Sequence, residues 1–168
     1  MTMEEIMDEL QHGRIATITV TIPEGWRSEE VAALLEESGI VPAEAFLRVV
    51  RGGIDVLDTT SYSFLMDRPE GSPPSLEGYL FPDTYQFPKE SEPTRVVEIM
   101  LQNWDRRVSA DLRERAAERG MTLYEVVTLA SIVEREAVVD EERATIAGVY
   151  LNRLARDMRL EADPTVQY

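Results

Sequence analysis

One run of residues, Leu123 to Ala137, limits more than any other what this chain can fold into. It reads Leu-Tyr-Glu-Val-Val-Thr-Leu-Ala-Ser-Ile-Val-Glu-Arg-Glu-Ala, and its apolar positions recur at helical spacing. At about 100° per residue, Leu123, Val126, Val127, Ala130, Val133 and Ala137 share one face. A helix with such a face must bury it, so the chain has to supply a packing partner. Thr122 and Glu125 form an S/T-x-x-E capping box at the start, just after Gly120, a natural stop for a preceding helix. Two carboxylates stand at the other end. Glu134 falls near the apolar face, and Glu136 falls at its edge, beside Leu129 and Ile132. A carboxyl at such a boundary can keep a proton and still reach a cleft, as a general acid must. The competing reading is a pair of surface glutamates with Arg135 and Arg143 nearby. Spacing alone leaves both open.

Charge and composition remove several function classes. A net charge of −15 argues against nucleic acid, whose phosphates need a basic surface, and against electrostatic attachment to anionic lipid. Of the 17 basic residues only Lys89 is lysine, a skew that reads as genome base composition before chemistry. With no cysteine there is no thiolate chemistry, no disulfide and no Cys-ligated metal. The single histidine, His12, lies in a Gln-His-Gly helix exit, which disfavours a Ser-His-Asp triad or a multi-His metal site. No metal and no cofactor are therefore expected. No apolar stretch approaches the roughly 20 residues of a membrane span, and no signal peptide is visible.

Along the chain, Thr2 to Leu10 reads as a short helix. Ile15 to Ile22 alternates apolar residues with threonine and reads as a strand. Pro23-Glu24-Gly25 is a turn, Ser28 caps a helix over Glu29 to Glu37, and Pro42 opens another that ends at Gly52-Gly53. Residues 54 to 93 show no clear period, and Arg68 to Ser75 is a loop on composition. Leu76-Glu-Gly-Tyr-Leu-Phe-Pro-Asp-Thr-Tyr-Gln-Phe87 interleaves four aromatics with Glu77, Asp83, Thr84 and Gln86. Aromatic faces beside carboxylates suit sugar rings; an aromatic cover over a core would look the same. Pro93 to Arg119 reads as one long packing helix, with Val96, Val97, Met100, Trp104, Val108 and Leu112 inside. Asp140 caps a last helix through Ile146, Val149, Tyr150, Leu151 and Leu154. The expected fold class is α+β: a small α/β unit followed by a mainly helical part.

Three ordered segments are specific in combination: Leu76-Glu-Gly-Tyr-Leu-Phe-Pro-Asp-Thr-Tyr85, Ala130-Ser-Ile-Val-Glu-Arg-Glu-Ala137, and Glu142 to Leu154 running on to Leu160-Glu-Ala-Asp-Pro-Thr-Val-Gln-Tyr168. In letters, order and spacing they resemble the YceG-like family of endolytic murein transglycosylases, strongly over residues 76 to 168. Thr19-Val-Thr-Ile-Pro-Glu-Gly-Trp26 and the helix after it look like that family's small LysM-like subdomain. The resemblance implies residues 1–53 as a LysM-like unit and 54–168 as the N-terminal part of the catalytic domain.

The implied chemistry is cleavage inside peptidoglycan strands between N-acetylmuramic acid and N-acetylglucosamine, leaving a 1,6-anhydro end. The sugar's own 6-hydroxyl closes on the anomeric carbon, so one glutamate can act as acid and then base, where ordinary glycosidases need two carboxylates. The family's catalytic Glu is carried onto Glu136, with Glu134 the alternative. Glu134 is otherwise structural, paired with Arg143 or Arg153. Glu77, Tyr79, Asp83 and Tyr85 are implied to bind glycan or shape the cleft. Asn152, Asp163, Thr165 and Gln167 also match family motifs, and Asp163 could equally accept backbone N–H groups in a turn. Peptidoglycan strands are the expected partner, with cell-wall synthases as further candidates. Family members begin with one membrane-spanning helix and continue beyond the Asp-Pro-Thr segment. This chain therefore reads as a fragment of a protein anchored in the cytoplasmic membrane and facing the wall. The alternative function is a non-catalytic wall-binding or synthesis-scaffold module. A third, ordinary hydrolysis, would pair Glu136 with Glu77 or Asp163.

Overall fold

The structure, a computed structural model, describes residues 16–162. The expected helix over Thr2 to Leu10, His12, and the candidate residues Asp163, Thr165 and Gln167 lie outside them. The described residues form strands β1 (Thr17–Thr21) and β2 (Thr84–Pro88) and helices α1 (Ser28–Glu37), α2 (Ala43–Gly52), α3 (Pro93–Arg107), α4 (Ala110–Glu118), α5 (Leu123–Glu136) and α6 (Arg143–Leu154). The fold is α+β, as the sequence leads one to expect.

β1 and β2 pair antiparallel, with Thr17 opposite Pro88, Val20 opposite Tyr85 and Thr21 opposite Thr84. Alternation places Val20, Tyr85 and Phe87 on the buried face and the threonines outside. Pro88 closes β2 at its end, where a missing N–H is tolerated. The strand in the aromatic segment is a correction to the sequence reading, which gave residues 54–93 no regular element.

Further boundaries differ. Asp140 does not cap the last helix: it opens a 3-10 turn, Asp140–Glu142, and α6 begins at Arg143 with Glu142 in the cap position. Ser28 is the first helical residue of α1 and not its cap; Arg27 takes the cap position, its N–H donating to the Glu30 carboxylate at 2.9 Å. The single helix expected over Pro93 to Arg119 is broken at Val108-Ser109. There Ser109 accepts the Leu112 N–H at 3.4 Å and starts α4, whose Leu112 is exposed.

The main core runs from Val20 to Trp104 and takes side chains from β1, α1, α2, β2 and α3. Residues on both sides of position 53 contribute to it. Its aromatic centre is a stack of Phe64 on Trp104 at 4.3 Å, with Tyr79 5.3 Å from Trp104. A second, smaller cluster joins α5 to α6 through Leu129, Val133 and Tyr150, with Ala162 closing it.

Candidate active site

α5 begins as the sequence indicates. Thr122 accepts the Glu125 N–H at 3.1 Å and the Glu125 carboxylate accepts the Thr122 N–H at 2.8 Å, satisfying two orphan donors at once. A third, the Leu123 N–H, donates to Asp67 at 2.7 Å. The helix buries two rows and not the one expected. Leu123 and Val127 pack on the main core, while Leu129, Ile132 and Val133 meet α6. Ala130, placed on the apolar face by spacing, is exposed. The reason is that α5 is sandwiched between two packing partners whose directions differ.

This arrangement separates the two glutamates. Glu134 lies in register with Leu123 and Val127, and Glu136 continues the row of Leu129 and Val133. Glu134 is held by Arg143 at the start of α6: Nε donates to Oε2 at 3.0 Å and an Nη to Oε1 at 3.2 Å. Arg143 also pairs with Asp140, so one guanidinium staples the end of α5 to the turn that leads into α6. Both carboxylates push the Arg143 pKa upward, the Glu134 hydrogen bond most. Arg153, the other partner proposed for Glu134, instead donates to the carbonyls of Arg159 and Leu160 and pairs with Glu161. Glu136 is half-buried, and its carboxylate makes no hydrogen bond or ion pair with a described residue.

Two glycines let other segments reach α5. A Cβ at Gly78 would lie 2.6 Å from Val127 Cγ1, so the aromatic segment touches the helix only because position 78 is glycine, with φ +83°. A Cβ at Gly25 would lie 3.4 Å from Glu134 Oε1, which puts the turn after β1 against the last turn of α5. Trp26, next in that turn, is 39% exposed. Sequence reading passed over it, because exposure of one tryptophan has no periodic signal.

The remaining candidates occupy distinct places. The Glu77 carboxylate accepts the Ser28 N–H at 3.3 Å through both oxygens, at the positive end of α1. Tyr79 is 1% exposed in the aromatic core, and its hydroxyl has no hydrogen-bond partner among the described residues. Burial pushes its pKa up to about 12. The Tyr85 ring is buried against Phe87, and its hydroxyl donates to the Phe81 carbonyl and accepts from Asn103 Nδ2 at 3.1 Å. Asp83 accepts from the same Asn103 nitrogen at 3.0 Å and pairs with Arg107. The Asn103 hydrogen bond, then Arg107, holds the Asp83 carboxyl down to about 2. This network lines an open groove of about 520 Å³ with Thr84, Gln86, Ile99 and Arg106. Asn152 is exposed on α6. No cluster of three or more metal-ligating side chains occurs among the described residues, and none of their helices is long and apolar enough to cross a membrane.

The sequence matches the YceG-like family over residues 1–168. The chain belongs to the YceG-like family. It is similar to the endolytic murein transglycosylase of Streptococcus pneumoniae serotype 2, strain D39, with 31% identity over 184 aligned residues that cover 100% of the chain and 33% of the relative. The protein of that name from Bacillus subtilis strain 168 is 35% identical over 94 residues, 55% of the chain and 26% of the relative. In three dimensions the chain resembles a YceG-like protein from Listeria monocytogenes, solved at 2.6 Å, with a TM-score of 0.77 and 28% identity. The likeness covers 99% of this chain and 57% of that one. The YceG-like chain described here thus spans about a third of the length of its pneumococcal relative.

Proposed function

We propose that this YceG-like chain carries the acid–base end of a peptidoglycan lytic transglycosylase that cuts within glycan strands. Glu136 protonates the glycosidic oxygen as the bond from the muramic anomeric carbon breaks. The muramic 6-hydroxyl then bonds to that carbon, and the Glu136 carboxylate takes the hydroxyl proton, so the anhydro end forms with no water consumed. The names of the S. pneumoniae and B. subtilis relatives support the substrate class. The observation that carries the residue assignment is the contrast between the two glutamates. Both lone-pair sets of Glu134 are engaged by Arg143, while the half-buried Glu136 has no partner among the described residues.

In this proposal Glu77, Tyr79, Asp83 and Tyr85 shape the cleft through the scaffold, and Asn152 is the exposed binding candidate. Residues 1–53 form the LysM-like part and 54–168 the first part of the catalytic domain, sharing one core. The protein works on the wall side of the cytoplasmic membrane, where wall synthases are its candidate partners. Mass spectrometry of purified peptidoglycan treated with the full-length protein, wild type against Glu136→Gln, tests the reading. Anhydro-muramic ends from wild type alone support it. Reducing ends would make the protein a hydrolase with a second carboxylate, and intact strands with both proteins would leave a binding module.

A further inference from the structure

A single exposed apolar residue is ordinary on a protein surface, so exposure alone assigns Trp26 nothing. Its setting is what distinguishes it. The turn that carries it is fixed at both ends. On one side the Ile22 N–H donates to the Asp83 carbonyl at 2.9 Å. On the other, the Arg27 N–H is held by Glu30 at 2.9 Å and the Ser28 N–H by Glu77 at 3.3 Å. At the apex Gly25 adopts φ +74° and rests against Glu134, 3.4 Å from Oε1 to a Cβ at that position. Consecutive Cα atoms are about 3.8 Å apart, so Trp26 leaves the backbone one step from that contact. Glu136, two residues further on, projects from the other side of α5, about 200° around the helix from Glu134, so a strand seated on Trp26 reaches it by crossing the helix end.

Trp26 is 39% exposed, and its indole has no ring contact or hydrogen bond with a described residue. It offers a flat apolar face and one N–H donor. A pyranose ring offers the complement, a face of C–H groups edged by hydroxyl acceptors. We propose that Trp26 is a sugar-binding residue, its indole stacking on a pyranose ring of the glycan strand and holding the strand across the end of α5 that carries Glu136. The pinned turn fixes the backbone that carries Trp26 before substrate arrives, which lowers the entropy lost on binding. This rests on the reading of the chain as one that acts on peptidoglycan.

The chain has two tryptophans, and the other, Trp104, is 3% exposed inside the aromatic core. A change in tryptophan emission on adding glycan therefore reports Trp26. Soluble uncrosslinked glycan strands are titrated into the full chain as wild type and Glu136→Gln, and calorimetry gives Kd for these and for Trp26→Phe and Trp26→Ala. The expected result is a saturable emission change in the first two, Kd raised about tenfold in Trp26→Ala, and a smaller rise in Trp26→Phe. Emission from Trp104 verifies that the variants are folded. Binding without an emission change, an unaltered Kd in folded Trp26→Ala, or no binding to wild type overturns the proposal. Strands that stay uncut while Trp26 responds would remove the lyase reading and leave the stacking. Cut strands with a silent Trp26 would do the reverse.

Discussion

Tyr79→Phe isolates one oxygen atom. The ring of Tyr79 is packed against Phe64 and Trp104, and Arg68 lies over it at 5.8 Å. All of these contacts survive the substitution. The hydroxyl is buried without a partner among the described residues. Leaving such a group unpaired costs about 1–3 kcal/mol, because its hydrogen bonds to water are lost and not replaced. Deleting the oxygen opens a void of roughly 10–15 Å³, worth about 0.3 kcal/mol against the change at ~24 cal/mol per Å³. The variant is expected to be more stable by about 1–2.5 kcal/mol, a rise in Tm of roughly 2–10 °C for a chain of this size. In urea unfolding the midpoint should move up with an unchanged slope. A variant less stable than wild type by about 1 kcal/mol would refute the reasoning, since it would mean the hydroxyl has a partner in solution. Glycan cleavage by the full-length variant should be unaltered, as a scaffold role requires.

Gly78→Ala forces a side chain into a positive-φ position 2.6 Å from Val127 Cγ1, and should destabilise by about 2–4 kcal/mol in urea unfolding. Arg143→Ala strips Glu134 of its bidentate partner, and a small downward shift of the urea midpoint is expected by the same measurement. Asp83 is held below its ordinary 3.8, at about 2, so its contribution is complete above pH 3.8 and is lost as pH falls toward 2. Acid unfolding followed by circular dichroism should be shallower in this window for Asp83→Asn. Tyr79 behaves in the opposite sense: burial raises it from 10.0 to about 12, so its ionisation leaves stability unchanged below pH 10 and lowers it as pH climbs from 10 through 12. Absorbance at alkaline pH should show one tyrosine ionising last, and Tyr79→Phe should remove that step.

Much of this arrangement is written locally, and the unread parts are those fixed by distant residues. The Thr122–Glu125 box is a short-range signal, and the structure contains it atom for atom. The break at Val108-Ser109 also has a local signal, the serine cap, but the apolar spacing from Val96 to Leu112 runs across it and masks it. β2 has five residues, the last of them Pro88, too few for alternation to declare itself, and its partner is far away in sequence. The two glutamates illustrate the same divide. Their presence at a helix end is plain from spacing. That Arg143 and not Arg153 takes Glu134 depends on how α6 sits against α5, which no spacing encodes. Tyr79 and Tyr85 read as sugar platforms or as core cover; burial places both rings in the core.

The pairing of β1 with β2 sets a condition on how the molecule comes together. The hydroxyls of Thr21 and Thr84 meet at 2.9 Å across 63 positions of chain. A ribosome therefore releases β1 long before its mate exists. α1 and α2 can form early, since their contacts are local. The strand must wait, with its alternating valine and isoleucine face uncovered, until the aromatic segment has been made. Closing a loop of that length costs little more than closing one half as long, about 0.6 kcal/mol per doubling, but it delays the event. Pulse-labelled hydrogen exchange should accordingly show the amides of α1 protected before those of β1.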